Sequence, residues 1–387
     1  MGFGGYPLEC TKIKIWNFES NTLEEQNFYH RNSPTHFDCF FIPKYLEYIH
    51  GKISMDGTFH EVKDIQGISQ LYMFNVQLYD PIDATKTHIQ PLACFLLPNK
   101  STLTYAKMFK ELSEYTLEFT GRPFYPSCVH MDNEATLIRL VKKTFPLTEI
   151  RTCIYHIFES FRRNLRKNGM PIESAPKTIK NSFYTLKGAC FLDLSEPFIL
   201  EFVVDLLDQM DLTVSNFVEN FFYVQQWKKF TVYLRNNWFN PNNTHFLGFN
   251  SNFHKELITT VTPQVTYNPA ESLNRVLKSQ YDSGRIGKKA CAHGIHQFFH
   301  GRRIKLAVFL NNDKVNNRKP KDLKKWENQQ FIAQFLNSVF QMQNLEYNYK
   351  VQCLYEAAYK YGRIQEENIN DTYRLLHPNI PSHFNFN

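Results

Sequence analysis

The sequence predicts a mixed α/β fold, and three observations lead to this class. Residues 70–79 are aromatic and alternate well enough to form a strand. Residues 102–118 carry apolar side chains at the three- and four-residue spacing of a helix. Short apolar runs and amphipathic segments then follow one another along the chain, as expected where strands alternate with helices.

The predicted elements begin with three strands. The first ends at Asp56, and Pro91 in the third indicates an edge position or a bulge. A helix that is basic along one face closes the series and ends at Asn168 and Gly169, a C-cap pattern. The full order is strand 52–55, strand 70–79, strand 87–97, helix 102–118, strand 126–131, helix 133–144, strand 150–155 and the basic helix. This is the order of a ribonuclease-H-like core, a mixed five-stranded sheet with flanking helices.

Composition excludes several classes of protein. The chain has 387 residues, of which 43% are hydrophobic, so it can bury a core and is not a disordered chain. Its net charge of +7 favours an anionic partner such as nucleic acid. The cysteines are dispersed without a CxxC pair, which argues against a small disulfide scaffold. No apolar run is long enough to predict a membrane-spanning helix.

The pattern along the chain divides it into five predicted parts. Residues 1–50 are interpreted as a lead-in segment, with the remnant of a longer N-terminal region as the alternative; within it, residues 34–49 predict a strand and a short helix. The other parts are the first portion of the core at 51–168, an α-helical insertion at 169–262, the remainder of the core at 263–310, and a C-terminal helical region at 311–387. Helices within the insertion are predicted at 197–208 and 214–233.

Three acidic residues stand where a ribonuclease-H-like fold brings carboxylates together. Asp56 follows the first predicted strand, Asp132 follows the fourth, and Glu271 lies in a predicted helix after the insertion. Mg²⁺ prefers oxygen ligands, and two such ions about 3.5–4 Å apart stabilise the attacking and the leaving oxygen of a phosphoryl transfer. The three acids therefore predict a two-metal site.

Seven short motifs resemble the catalytic domain of Mutator-like element (MULE) transposases. They are DGTF at 56–59, QLYMFNV at 70–76, LP at 97–98 with TY at 104–105, HMDNEATL at 130–137, FP at 145–146, CIYH at 153–156 and YNPAESLNRVLK at 267–278. Their order and gaps match the family over residues 50–280. The resemblance implies a nuclear DDE-type DNA transposase that cuts transposon ends and joins them to target DNA, acting as a homodimer or higher oligomer.

The resemblance also implies roles for particular residues. Asp56, Asp132 and Glu271 become the catalytic carboxylates that hold two Mg²⁺ ions, with Mn²⁺ as a possible substitute. Cys153 and His156 correspond to the family's CxxH element and are expected to support the site. Residues 1–50 lack the spacing of the family's N-terminal zinc finger, which leaves a truncated or domesticated transposase as an alternative.

Simpler interpretations of the acids remain open. Asp56 could be a turn residue, because Asp-Gly is a strong turn signal. Asp132 could be the N-cap of the following helix. Glu134 is two residues away from Asp132, but on a helix it would point elsewhere, and Glu256 is another substitute for Glu271. We expect no zinc site, since the CxxH pair supplies two of the four ligands that a structural site needs.

Basic residues form two candidate surfaces for DNA. Arg162, Arg163, Arg166 and Lys167 repeat at helical spacing, and a predicted basic loop at 285–305 includes Arg302 and Arg303. Asn274 and Lys278 share a helical face with Glu271 and could contact DNA. The alternative for all of them is a solvated polar face. The functional alternatives to a transposase are a domesticated DNA-binding regulator without catalysis and a ribonuclease-H-like nuclease.

Overall fold

The computed structural model divides the chain into two compact units. The first, here the sheet unit, comprises Met1–Cys153 and Thr266–Asn317; the second, the helical unit, comprises Ile154–Val265 and Arg318–Asn387. The structure describes residues 12–17, 22–32, 38–58, 62, 65–79, 87–132, 134–243, 246, 250, 273, 276–277, 288–310, 334–342 and 344–361.

The sheet unit is built on one large mixed sheet and a separate two-stranded one. The strands are β1 (Lys12–Asn17), β2 (Thr22–Asn27), β3 (Tyr29–Asn32), β4 (Asp38–Phe41), β5 (Lys52–Thr58), β6 (Gln70–Tyr79), β7 (Thr87–Leu97), β8 (Cys128–Met131) and β9 (Glu149–Thr152). β1 and β2 pair with each other, and the other seven follow the order β3-β4-β7-β6-β5-β8-β9. β5–β8 and β8–β9 are parallel pairs, whereas the remaining pairs are antiparallel.

This strand order is compatible with a ribonuclease-H-like core. The segment β7-β6-β5-β8-β9 supplies the five strands that the sequence predicts, and β3 and β4 extend the sheet on the far side of β7. The predicted strand and short helix at 34–49 are β4 and a 3₁₀ helix, Pro43–His50. The sheet is therefore wider than predicted, because part of the N-terminal segment pairs with it.

The helices occupy both units. They are α1 (Thr102–Thr120), α2 (Ala135–Thr144), α3 (Ile154–Lys167), α4 (Lys177–Ala189), α5 (Pro197–Phe217), α6 (Phe221–Asn237), α7 (Lys288–Leu310) and α8 (Tyr347–Tyr361). Residues 334–341 are also helical. None of the helices in the described part of the chain is both long and apolar enough to span a membrane.

Aromatic side chains attach α1 to one face of the sheet. The rings of Phe74 and Phe109 lie 6.0 Å apart between centroids, and those of Phe41 and Tyr115 lie 4.9 Å apart. Such pairs add to the area that the rings bury. α1 begins at Ser101, whose hydroxyl accepts a hydrogen bond from the Thr104 amide, and ends at Gly121 in a left-handed conformation. α1 is thereby held over β6, the strand next to Asp56.

A bulge in β7 explains how Pro91 is accommodated. The pairing of β6 with β7 shifts between Phe74 and Asn75, which pair with Ala93 and Pro91 and leave Leu92 as the extra residue. The bulge alternative for Pro91 is confirmed. β7 also pairs with β4, but only over Ala93–Leu96, so in the described sheet Pro91 is paired on the β6 side alone and its position is also that of a local edge.

The helical unit has an aromatic core. Trp227, Phe161 and Phe230 are fully buried, and the rings of Phe161 and Phe230 lie 6.0 Å apart between α3 and α6. α3 ends as predicted at Gly169, whose φ is 77°, and the Met170 amide donates to the Leu165 carbonyl as in a Schellman cap. The helical insertion at 169–262 stays a prediction.

Two predictions in the helical segments are wrong. The predicted break at 209–213 falls inside α5, and the chain turns instead at 218–220, where the Asn220 side chain caps α6. The predicted basic loop at 285–305 is largely α7, a helix that buries Cys291, Ile295 and Phe299 along one side.

Candidate active site

Asp56 and Asp132 lie at the same end of two parallel strands, Asp56 within β5 and Asp132 directly after β8. β5 pairs with β8 so that Lys52, Ile53 and Ser54 face Cys128, Val129 and His130. Continuing this register two residues beyond Ser54 and His130 brings Asp56 level with Asp132. Neighbouring strands are about 4.8 Å apart, so this register would bring the backbones of the two acids close together.

The position of Asp56 differs from the prediction in one respect. β5 continues through Thr58, so Asp56 lies within the strand and not after its end. The Asp-Gly turn alternative is therefore wrong. Gly57 is required here by packing, since a Cβ at this position would lie 2.9 Å from Gln70 Oε1 and 3.1 Å from the Tyr72 ring.

Tyr72 is a buried tyrosine within electrostatic reach of three carboxylates. Tyr72 lies in β6 and is 3% exposed. Burial raises its pKa well above the usual value, and the negative charges of Asp56, Glu134 and Asp132, with the phenol of Tyr105, raise it further. The charges of all three acids thus act on the phenol of Tyr72, which remains protonated at neutral pH.

Glu134 belongs to this cluster, contrary to the prediction that it points elsewhere on a helix. It occupies the N-cap position of α2, one residue before the helix begins, with extended backbone angles. The Tyr105 hydroxyl donates to Glu134 Oε2 at 3.3 Å, and Lys100 Nζ lies 3.9 Å from the same oxygen. Because the cap falls at Glu134, the alternative that Asp132 is the N-cap is wrong.

A short hydrogen-bonded chain ties Glu134 to the sheet. Gln70 Nε2 donates to the Tyr105 hydroxyl at 3.1 Å, which leaves that hydroxyl free to donate onward to Glu134. The Glu134 amide also donates to the Asp132 carbonyl at 2.8 Å. Burial, and then the charges of Glu134 and Asp132, raise the pKa of Tyr105 and keep it protonated. The side chain of Tyr105 therefore connects β6, α1 and the segment that carries Asp132.

These connecting residues were not identified from the sequence, although one signal was present. Tyr105 is fully buried on the apolar stripe of α1, where a tyrosine needs a partner for its hydroxyl. His130 is likewise buried, and it faces Ser54 on the strand position two residues before Asp132. The sequence signal for this part of the site was therefore a polar side chain at a position where the pattern predicts a buried apolar one, as at Tyr105 and His130.

The remaining predicted site residues fall in different places. Cys153 is buried directly after β9 at the end of the sheet unit, and His156 is partly exposed in α3 of the helical unit. Glu271, Asn274 and Lys278 lie outside the described residues, as does the substitute Glu256. In that segment the described residues 273, 276 and 277 are helical, and two of them are buried leucines, Leu273 and Leu277.

The predicted basic residues also separate. In α3, Arg163, Arg166 and Lys167 are exposed, whereas Arg162 is half-buried and pairs with Glu159 at 2.6 Å. Arg302 lies in α7 and is half-buried; its guanidinium donates to the Ile89 carbonyl of β7, so it helps to hold α7 against the sheet. Arg303 follows it in the same helix.

Two of the described acids could serve as metal ligands. Asp56 and Asp132 offer hard oxygen donors, which suit Mg²⁺. Within the described ranges, however, no three His, Cys, Asp or Glu side chains are close enough together to hold a metal ion. A complete site would take its further ligands from waters, from substrate phosphate or from a residue outside the described part of the chain, as is common for Mg²⁺.

Comparison with known families identifies the region around these acids. Residues 53–160 match the family model of the MULE transposase domain. Over these residues the chain is similar to a MULE transposase domain. The predicted resemblance to Mutator-like element transposases is thereby confirmed over the segment from β5 to the first half of α3.

The region that matches the MULE family model contains the whole of the described cluster. Asp56, Tyr72, Tyr105, Asp132 and Glu134 all lie within the matched residues. Cys153 and His156 lie near the end of the match. A search of curated proteins found no match to the chain.

Proposed function

We propose that this chain is a DNA transposase that cuts DNA strands at transposon ends and joins them to target DNA by metal-dependent phosphoryl transfer. A transposase-related function follows from the MULE transposase domain. The finer proposal is supported by one observation above all: β5 and β8 pair in parallel, and Asp56 and Asp132 both come two residues after the pair of Ser54 and His130. Other folds place acids at strand ends too, so the pairing within a MULE domain is what carries the argument.

Asp56 and Asp132 would hold the metal in this proposal. Two carboxylates with neighbouring waters and substrate phosphate form a common Mg²⁺ environment, so the donors fit this ion. Bound Mg²⁺, or Mn²⁺ in its place, would offset the charge that develops on the phosphate and lower the pKa of the attacking hydroxyl. Glu271 is our candidate for a third carboxylate by resemblance alone.

Other residues of the domain would keep the two acids in place. Tyr105 and Gln70 fix Glu134, and Glu134 holds the Asp132 carbonyl through its amide. Tyr72 is protonated because its pKa is raised, so it can donate to nearby carboxylates without adding charge. Cys153 and His156 are proposed to support the site from the segment after β9. Each of these groups acts by position, since phosphoryl transfer depends mainly on alignment and electrostatics.

DNA is the proposed partner, and the nucleus is the proposed location. The exposed side chains of Arg163, Arg166 and Lys167 would contact phosphates and add affinity without sequence preference. A homodimer or higher oligomer is proposed from the resemblance, because a transposase must act on two transposon ends.

A cleavage and strand-transfer assay tests the proposal. The substrates are duplexes ending in the terminal repeats that flank the gene, incubated with Mg²⁺ and a supercoiled target plasmid. We expect Asp56→Asn and Asp132→Asn each to lose activity by on the order of 10³-fold, because each removes several kcal/mol of charge stabilisation. Asp205→Asn, which changes an exposed carboxylate in α5, is the matched control and should retain full activity.

The same assay separates the alternative functions. A wild-type chain that binds the repeats but performs no metal-dependent chemistry would be a domesticated DNA-binding protein. Cleavage of RNA–DNA hybrids without strand transfer would instead indicate a ribonuclease-H-like nuclease. Full activity in both aspartate variants would overturn the assignment of the site.

A further inference from the structure

The turn between α5 and α6 exposes three phenylalanines. Phe217 ends α5 and is 74% exposed, Phe221 begins α6 and is 69% exposed, and Phe222 is 46% exposed. Single exposed apolar residues are common on protein surfaces, but clustered ones mark interaction sites. We call these three residues the aromatic tip.

The helices behind the aromatic tip hold it in a defined geometry. Thr231 donates to Asp211 at 2.9 Å, and Arg235 donates to Asp208 at 2.6 Å, so α5 and α6 form an antiparallel hairpin. At the turn itself, the Asn220 side chain accepts a hydrogen bond from the Phe222 amide at 3.0 Å. The rings therefore project from a capped, ion-paired hairpin, and their exposure does not arise from an unstructured loop.

The C-terminal turn of α3 lies beside the aromatic tip. A Cβ at Gly169, which caps α3, would lie 3.4 Å from Phe222 Cζ. Phe161 and Phe230 meet farther along the same two helices, so α3 and α6 run antiparallel and the end of α3 meets the start of α6. The aromatic rings and the cationic end of α3 thus belong to one continuous surface of the helical unit.

The end of α3 that meets the aromatic tip carries several cations. Arg163 and Lys167 are exposed and form no ion pair within the described part of the chain. Arg166 pairs with Glu173 at 3.1 Å on the surface, and Glu219 is an exposed acid in the turn. Surface pairs of this kind are weak and exchange readily, so Arg166 remains available to a polyanion.

We propose that the aromatic tip binds unpaired nucleotides of DNA, stacking its rings on the bases while Arg163 and Lys167 contact the phosphates. The proposal rests on the proposed function, since it names the form of DNA that this surface takes. Aromatic rings beside cations are the means by which proteins bind single strands, because every unpaired base presents a flat face. In an intact duplex those faces are covered, so the phenylalanines would have no ring to stack on.

Fluorescence anisotropy with two probes tests the inference. One probe is a labelled single-stranded oligonucleotide and the other is the same sequence as a blunt duplex, both titrated with the full chain. Phe217→Ala and Phe221→Ala should each weaken single-strand binding by about tenfold and leave duplex binding unchanged. Phe198→Ala is the matched control, because Phe198 is 51% exposed on the same helix but about 28 Å from Phe217 by the helical rise.

Salt dependence separates stacking from charge. Arg163→Ala and Lys167→Ala should each lower the slope of log affinity against log salt by about 0.7 for the single strand. The phenylalanine variants should keep the wild-type slope, because a ring releases no counterion. 2-Aminopurine placed in the single strand should be quenched by the wild type and less so by Phe221→Ala.

The possible results separate this inference from the proposed function. If the tip variants bind the single strand as tightly as wild type, the inference is wrong, although DNA cleavage could still be intact. If the wild type is a dimer that Phe217→Ala converts to monomer without loss of DNA affinity, the tip is a protein interface and the inference is also wrong. A wild type that binds neither probe would count against the proposed function as well.

Discussion

The two units of this chain differ in what they bury. On the face of the sheet that carries Asp56, the side chains of Asn75 and Gln77 are buried in β6, and the Gln77 amide makes no hydrogen bond within the described part of the chain. Both units bury apolar rings, such as Phe74 in the sheet unit and Trp227 in the helical unit, but among the described residues the helical unit buries fewer polar side chains. Buried polar groups cost stability unless they are paired, so their concentration in the sheet unit reflects a use other than packing. The difference indicates that one unit is shaped by chemistry and the other by close packing.

The largest expected effect concerns packing in the helical unit. A Cβ at Gly188 of α4 would lie 2.1 Å from the Leu354 carbonyl oxygen of α8, which is backbone and cannot move aside. We expect Gly188→Ala to destabilise this unit by about 3 kcal/mol. Tryptophan fluorescence from Trp227 and Trp238, both buried there, reports the loss during urea unfolding. An unchanged midpoint would show that α8 does not pack closely on α4.

The next effect contrasts two tyrosines of one helix. Tyr105 and Tyr115 are both buried in α1, and each donates to a glutamate, at 3.3 Å to Glu134 and 3.4 Å to Glu111. Changing either one to Phe should cost about 1–2 kcal/mol of stability, because each change removes a bond to a carboxylate. Only Tyr105→Phe should also lower DNA cleavage, by about tenfold, and raise the Mg²⁺ concentration that gives half activity.

Equal loss of activity in the two tyrosine variants would contradict this contrast. In that case the decrease would follow from stability alone, and the chain from Gln70 through Tyr105 to Glu134 would have no role in positioning Asp132.

A smaller effect concerns acid stability of the sheet unit. Burial, and then the nearby charge of Arg302, lower the pKa of His88 from 6.5 to about 3. Between these values the unfolded chain binds a proton that the folded chain does not, so the free energy of unfolding falls as the pH decreases below about 6.5. The free energy of unfolding of the wild type should therefore decrease between pH 7 and pH 5. In His88→Gln this decrease should be smaller by about 1–2 kcal/mol, as measured by urea unfolding at each pH. If the free energies of unfolding of the two proteins changed in parallel with pH, the pKa of His88 would not be lowered in the folded chain.

The smallest effect provides the control for the first prediction. Gly301 lies inside α7, and a Cβ there would meet no atom within 4 Å. Gly301→Ala should therefore stabilise the protein by about 0.5–1 kcal/mol through helix propensity. A thermal melt can detect the shift, and a decrease in stability would mean that a close neighbour approaches Gly301.

The sequence predicted the strands of the sheet unit well and the helices less well. The bounds of β6 and β7 are confirmed to the residue, because breakers such as Asp80-Pro81 and Pro98 stand directly at their ends. α4 was missed, since its threonine, asparagine, serine and glycine residues have low helix propensity and its packing against α8 compensates. The predicted helices leave a gap at 209–213, although this segment continues the apolar periodicity of α5. The chain turns at 218–220 instead.

The candidate site could likewise be predicted from the sequence only in part. Two aspartates at the ends of predicted strands could be expected to meet, because parallel strands bring such positions to one edge. The role of Glu134 could not be predicted, since it depends on α2 beginning two residues later than predicted and on a tyrosine 29 positions earlier in the chain. Long-range contacts of this kind have no local signature in a single sequence.

The parallel pairing of β5 with β8 makes the site sensitive to the length of a very short segment. β8 has four residues, and its pairing with Ser54 through His130 sets where Asp132 falls. Deleting or inserting one residue here could leave a strand of nearly the same composition, but it would turn Asp132 to the opposite face of the sheet. A gene copy with such a change would still encode a folded protein with all of its acidic residues, and a residue-by-residue comparison would score it as intact. Under the proposed function, the activity of a copy of this chain would therefore depend on spacing as much as on the presence of its aspartates.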